Sequence, residues 1–158
     1  MIRKCTATDR ETIHRIINDA ALAYKGVIPW DCWHEPYMSP AELMTEIREM
    51  TFFGWEEKEK LLGVMGFQPV KDVTLIRHAY VLPEHQRRGI GTSLLSYATD
   101  LAKARLLVGT WSDATWAIRF YEKHEFRLLP NKEELLRTYW NIPRRQIETS
   151  VVLGLEGR

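Results

Sequence analysis

Between an apolar run, Val73–Leu82, and an amphipathic segment, Gly91–Ala104, the chain carries Gln86-Arg-Arg-Gly-Ile-Gly91. A buried strand that turns directly into a helix leaves the backbone few options, and glycines at the junction let it turn tightly and bring its amides close to a ligand. Those amides sit at a helix N-terminus, where the helix dipole adds positive potential. Arg87 and Arg88 add formal charge beside them. Together these features describe a cradle for a pyrophosphate. A nucleoside-triphosphatase loop would need Gly-x-x-x-x-Gly-Lys-Ser/Thr, and no lysine follows Gly91. A dinucleotide fingerprint would need a third glycine where Leu94 stands. What remains is Gln-x-x-Gly-x-Gly.

The flanking sequence reads as one mixed α/β domain over residues 1–158. An extended start, Ile2–Thr6, leads to a helix that Thr8 and Glu11 are spaced to cap, with Ile13, Ile16, Ile17, Ala20, Ala21 and Tyr24 on one face. A long loop from Gly26 to Met38 has no period. Ser39-Pro40-Ala41-Glu42 opens a second helix whose inner side is Leu43, Met44, Ile47 and Met50. Strand-like runs at Thr51–Trp55, Leu61–Phe67 and Val73–Leu82 form a meander. Gly91–Ala104 follows as a helix with Leu94, Leu95, Ala98 and Leu101 inward, then a strand at Leu106–Trp111 and a helix at Thr115–His124. Phe126–Leu129 is extended, Asn131–Trp140 is helical with an Asn131–Glu134 cap, and Gln146–Leu153 is a closing strand.

Composition excludes several classes. Hydrophobic residues at 45% and charged residues at 27% suit a globular core, and a net charge of +1 gives no reason to expect a nucleic-acid or membrane partner. The opening residues Met1–Thr6 lack the apolar core of a signal peptide, and no apolar run nears the ~20 residues of a membrane span. Cys5 and Cys32 make no disulfide framework, and no His/Cys spacing fits a metal, so a cytoplasmic, metal-free protein is expected.

Two ordered motifs carry a family resemblance. The segment His78-Ala-Tyr-Val-Leu-Pro-Glu-His-Gln-Arg-Arg-Gly-Ile-Gly-Thr-Ser-Leu-Leu95 resembles the acetyl-CoA-binding motif of the GNAT superfamily of N-acetyltransferases. Ala117-Ile-Arg-Phe-Tyr-Glu-Lys-His-Glu-Phe126 is similar to that superfamily's closing motif, Ala-x-x-x-Tyr-Glu-x-x-Gly-Phe. The resemblance implies the GNAT fold: a central twisted, mostly antiparallel sheet of six to seven strands, with a parallel pair at the coenzyme A cleft and about five helices. It further implies acetyl-CoA as co-substrate. By position, Tyr80, Val81 and Leu82 would contact pantetheine and the acetyl group, and Gln86, Arg87, Arg88, Gly89, Ile90, Gly91 and Thr92 the phosphates. Two departures stand out. Ala114 replaces a frequent asparagine, and Glu125 replaces a glycine, where a left-handed residue would be strained by roughly 1 kcal/mol or more.

The same resemblance makes Tyr121 the expected acid, donating a proton as the coenzyme A thiolate leaves. An alkylammonium acceptor must first lose a proton. Glu84, beside the loop, is named for that role, with His78, Glu35, His34 and a water relay also open. Tyr24, Trp30, Trp33, His34 and Tyr37 gather around the long loop. With His78 and Trp111, the residues Tyr24, Trp30 and Trp33 are expected to bind the acceptor, a small-molecule or peptide amine, since aromatic faces suit cations. The rings would equally serve a homodimer contact. The alternative to an enzyme is a coenzyme A-binding sensor without turnover.

Overall fold

Antiparallel pairing begins at the first residues of the chain. In a computed structural model describing residues 1–155, β1 (Ile2–Lys4) pairs with β2 (Thr51–Glu57), which pairs in turn with β3 (Lys60–Val70). The β2–β3 hairpin turns through Lys58 and Glu59, both at positive φ, a turn whose twist matches that of the strands it joins. The seven strands are ordered β1-β2-β3-β4-β5-β7-β6, with β4 at Val73–Val81, β5 at Arg105–Trp111, β6 at Arg127–Leu128 and β7 at Ser150–Leu155. One neighbouring pair is parallel, so the sheet is mixed, as the motifs implied.

The described chain divides into two compact units. The first comprises Met1–Ala23, His34–Gln68 and Ile76–Leu101. Its helices are α1 (Arg10–Ala21), α2 (Pro40–Glu49) and α3 (Ile90–Leu101). The cap of α1 differs from the expectation at Thr8 and Glu11. Thr6 opens a one-turn 3-10 helix, Ala7–Asp9, and its amide donates to Asp9 Oδ2 at 2.7 Å. Arg3 fixes the same carboxylate with two hydrogen bonds of 2.8 and 2.9 Å, and the helical segment therefore opens at Thr6, ahead of the Thr8-x-x-Glu11 pair. The Ser39–Glu42 box on α2 forms as read: Glu42 N–H donates to Ser39 Oγ at 3.1 Å and Ser39 N–H to Glu42 Oε1 at 3.3 Å. Asn18 of α1 holds both the amide and the carbonyl of Met38, setting where α2 starts. Met44 and Leu101, read as inward, are exposed, while Leu43, Met50, Leu94, Leu95 and Ala98 are buried.

The second unit comprises Tyr24–Trp33, Pro69–Leu75 and the chain from Ala102 onward. Strand β7 lies between β5 and β6, with Val108 opposite Leu153. Its core joins Val73, Leu75, Leu107, Leu136, Ile147 and Val152. Each such side chain contributes about 1.5–3 kcal/mol on burial. The helices are α4 (Thr115–Lys123), α5 (Lys132–Tyr139) and α6 (Arg144–Glu148). Helix α6 corrects the reading of a strand from Gln146: Pro143 sets the first turn, its carbonyl accepts from Gln146 and Ile147, and Ile147 turns into the core. Asn131 makes no side-chain cap on α5. Instead Lys132 Nζ donates to the carbonyls of Ile147, Glu148 and Ser150 at 2.7–3.1 Å, tying α5 to the end of α6. Tyr24 ends not in α1 but in a 3-10 turn, Leu22–Tyr24.

Candidate active site

The phosphate-type turn grows directly out of β4. Leu82 is buried and its N–H donates to Leu62 O at 2.9 Å, fixing the end of the strand. Pro83–His85 makes one 3-10 turn, and Gln86 Nε2 donates back to Val81 O at 3.1 Å, closing that turn on the strand. Arg87 and Gly89 then take φ of +65° and +82°. Glycine adopts this without strain; for arginine it costs roughly 1–2 kcal/mol. Ser93 N–H donates to Gly89 O at 2.9 Å, the first bond of α3. The backbone just before it belongs to the helix N-terminus, whose first amides have no carbonyl within the helix. A pyrophosphate fits such a turn, which offers amide donors, the positive end of a helix and the Arg87 charge.

Arg88 is engaged differently. Its guanidinium grips Glu57 of β2 through bonds of 2.7 and 2.9 Å and meets His85 Nδ1 at 3.0 Å. The Arg88 pair holds the Glu57 carboxyl below its ordinary value. Exposed ion pairs of this kind are weak and readily exchanged. Glu84 is exposed in the Pro83–His85 turn.

His78 lies on β4 in a conformation no strand residue prefers, with φ of +51°. Its Nε2 sits 3.0 Å from Glu46 Oε1 on α2, and Arg77 Nη2 donates to the same oxygen at 3.3 Å. The imidazole stacks on Phe52, with ring centroids 6.2 Å apart. Burial holds the His78 imidazole below its ordinary value, against the pull of the Glu46 carboxylate. Burial pushes Glu46 up, but the His78 bond and the His78 and Arg77 charges outweigh it, and Glu46 stays below the usual carboxylate range. The pair is therefore a neutral imidazole on an ionised carboxylate near neutral pH.

Tyr121 of α4 is buried, its ring set edge-on against Phe120 at 5.2 Å and Phe126 at 5.6 Å. The turn after α4 fixes that packing. Phe126 N–H donates to Tyr121 O at 3.0 Å and Glu125 N–H to Glu122 O at 3.1 Å, with Glu125 left-handed at φ +72°. This is a Schellman closure with glutamate where glycine is favoured. Burial, with a smaller contribution from Tyr24, raises the Tyr121 phenol well above its ordinary value, so it is a permanent donor.

Tyr24 is buried and stacks on Trp116 at 5.9 Å, His34 stacks on Tyr37 at 6.3 Å, and Trp30 is 88% exposed. The Trp30–Cys32 turn is pinned by Asp31, which accepts from Arg145 Nε at 2.8 Å. Trp111 is buried and pairs in register with Ser150. Tyr80 and Val81 are half-buried at the end of β4. Sequence reasoning missed Glu46 and Glu57. Glu46 had a signal: it falls in the same helical stripe as Leu43, Ile47 and Met50, a charge on an apolar face.

A mixed sheet whose β4 runs into a glycine turn and a helix N-terminus offers a place for a phosphate-bearing ligand. The model of the Acetyltransferase (GNAT) family matches residues 14–126, and the chain belongs to that family. Among solved structures it is similar to the PaiA N-acetyltransferase from Thermoplasma acidophilum in complex with coenzyme A. That match has a TM-score of 0.76 at 19% identity, covering 99% of this chain and 98% of that one. The ribosomal-protein-S18-alanine N-acetyltransferase from Escherichia coli matches at TM-score 0.70 and 19% identity, over 98% and 92% of the two chains. A GNAT family acetyltransferase from Elizabethkingia anophelis with acetyl-CoA bound matches at 0.65 and 22%, over 99% and 97%. At these identities the likeness is one of fold.

Proposed function

We propose that the protein is an acetyl-CoA-dependent N-acetyltransferase that passes the acetyl group directly to a primary amine of a small molecule or peptide. The observation that carries the reading is the turn from Val81 to Ile90, closed by Gln86 and left-handed at Arg87 and Gly89. It suits the pyrophosphate of coenzyme A, and it follows a strand end, Tyr80–Leu82, suited to the pantetheine arm. When bound, acetyl-CoA supplies a thioester whose carbonyl carbon gains a bond to the acceptor nitrogen as its bond to sulfur breaks. Direct transfer is favoured over a covalent enzyme intermediate because neither Cys5 nor Cys32 belongs to a nucleophile motif, and burial pushes the Cys5 thiol up to about 12, away from the reactive thiolate.

Tyr121 stabilises the departing sulfur. A free thiol ionises near ~8.5, so complete proton transfer from a phenol raised above its ordinary value is uphill. The role its burial supports is hydrogen-bond donation to the charge developing on sulfur, with the proton following as the thiolate departs. The acceptor-binding roles of Tyr24, Trp30, Trp33, His78 and Trp111 belong to the same proposal.

The test is thiol release from acetyl-CoA with a panel of amines, for the natural sequence and for Tyr121→Phe. Transfer to at least one amine, cut ~100-fold or more by Tyr121→Phe with acetyl-CoA affinity retained, is the expected result. Tight coenzyme A binding without transfer to any amine, and no effect of Tyr121→Phe, would identify a sensor instead.

A further inference from the structure

We propose that the Nδ1 atom of His78 removes the proton from the acceptor ammonium, with Glu46 as its positioning residue. The inference rests on the acetyltransferase reading and assigns the base that reading requires. It replaces Glu84, which lies exposed in the turn beyond the strand.

Three independent features converge on His78. First, its φ of +51° is an outlier for a bulky residue in a strand, and such strain persists where the surroundings hold it, often at functional sites. The surroundings here are Glu46 at 3.0 Å and the Phe52 ring. Second, a neutral imidazole beside a carboxylate donates from the nitrogen that faces it. Nε2 therefore carries the hydrogen, and Nδ1 carries the lone pair. Third, His78 stands two residues before Tyr80 on the strand whose end the proposed thioester lies against, so that a bridging water can join imidazole and amine.

The proton balance is simple. The ammonium N–H bond breaks and Nδ1 takes that proton. The nitrogen lone pair forms the C–N bond as the C–S bond breaks, and the second proton, shed by the acylated nitrogen, balances the one that the departing thiolate takes up on leaving as free thiol. The imidazolium so made is stabilised by Glu46, which already accepts from Nε2. After transfer, His78 returns the proton to solvent, through the 14% of its side chain that remains exposed. The charged groups acting on the ring are Glu46 and Glu42 from α2 and Arg77 from β4, and Phe52 of β2 stacks against it. Burial, which holds the imidazole below its ordinary value, keeps it in the basic form near neutral pH.

The experiment compares n-butylamine and benzylamine, which are cations near neutral pH, with hydroxylamine, which is already neutral there. Each is offered with acetyl-CoA to the natural sequence, His78→Gln and Glu46→Gln. His78→Gln is expected to lose ~100-fold or more in kcat/KM for the alkylamines, well beyond its loss for hydroxylamine. Glu46→Gln is expected to move the acid limb of the alkylamine profile to lower pH, because the carboxylate that raised the imidazole pKa is gone. Independently of turnover, an NMR titration of the His78 ring should find it ionising below an ordinary histidine, and lower still in Glu46→Gln. Equal losses for charged and neutral nucleophiles, an unmoved acid limb, or an unmoved titration would overturn the assignment. So would transfer by the natural sequence to hydroxylamine but to no alkylamine. Should His78→Gln fail to fold, the Glu46→Gln profile and titration decide. No transfer by the natural sequence to any nucleophile contradicts the acetyltransferase reading itself.

Discussion

A Cβ on Gly66 of β3 would stand 2.8 Å from the Arg77 carbonyl oxygen of β4, immediately before the left-handed His78. The same Cβ would lie 2.8 Å from Met50 Sδ. One obstacle is backbone and cannot swing aside, so the local path of β4 depends on the absence of a side chain at Gly66. Gly66→Ala is expected to destabilise the protein by about 1–3 kcal/mol through overpacking, read as a lower urea midpoint. An unchanged midpoint would mean that β4 shifts freely there.

Glu125 stands where the closure of α4 favours glycine. Its φ of +72° costs a non-glycine residue about 1 kcal/mol, and Glu125→Gly removes that strain while keeping both closing hydrogen bonds. The expected result is a gain of about 0.5–1 kcal/mol in unfolding free energy. A loss would show that the glutamate side chain makes a compensating contact.

Acid stability has a specific origin at Asp9. Hydrogen bonds from Arg3, assisted by the Thr6 amide, bring its carboxyl down to about 2. A depressed carboxylate stabilises the fold above its unfolded value, near ~3.9, and that stabilisation fades as pH falls toward 2. In Asp9→Asn the melting temperature should therefore be lower at neutral pH and fall less steeply between about pH 4 and pH 2. Parallel curves for both proteins would show that Asp9 does not contribute to acid stability.

Glu57 holds the Arg88 guanidinium, which the proposed function would offer to the coenzyme A phosphates. Releasing it with Glu57→Gln is expected to tighten acetyl-CoA binding several-fold, whereas Arg88→Ala weakens it less than Arg87→Ala does. Calorimetric titration at low salt, where exposed charges count most, gives the comparison. Weaker binding by Glu57→Gln would show that the clamp orders the turn instead.

The elements that sequence made legible are those decided locally. The Gln86–Gly91 turn, the Ser39 cap and the core face of α1 each follow from residues within one or two turns of each other. The left-handed Glu125 was legible too, because the closing motif expects a glycine there. What stayed hidden depends on long-range pairing. Glu46 and His78 are 32 residues apart, and Arg88 and Glu57 are 31 apart, so no window of sequence could pair them. Helix α6 was hidden for another reason: Ile147 lies close before the alternating residues of β7, and a short apolar run fits either period.

Transfer of the acetyl group to nitrogen leaves a distinct carbonyl signature. Carbon-13 NMR of a reaction run with carbonyl-labelled acetyl-CoA and the amine panel tests this most directly. An amide carbonyl signal should grow in step with free coenzyme A, and be abolished when acetyl-CoA is replaced by coenzyme A. A label that stays in the thioester with every amine, or appears only as free acetate, would contradict transfer to nitrogen.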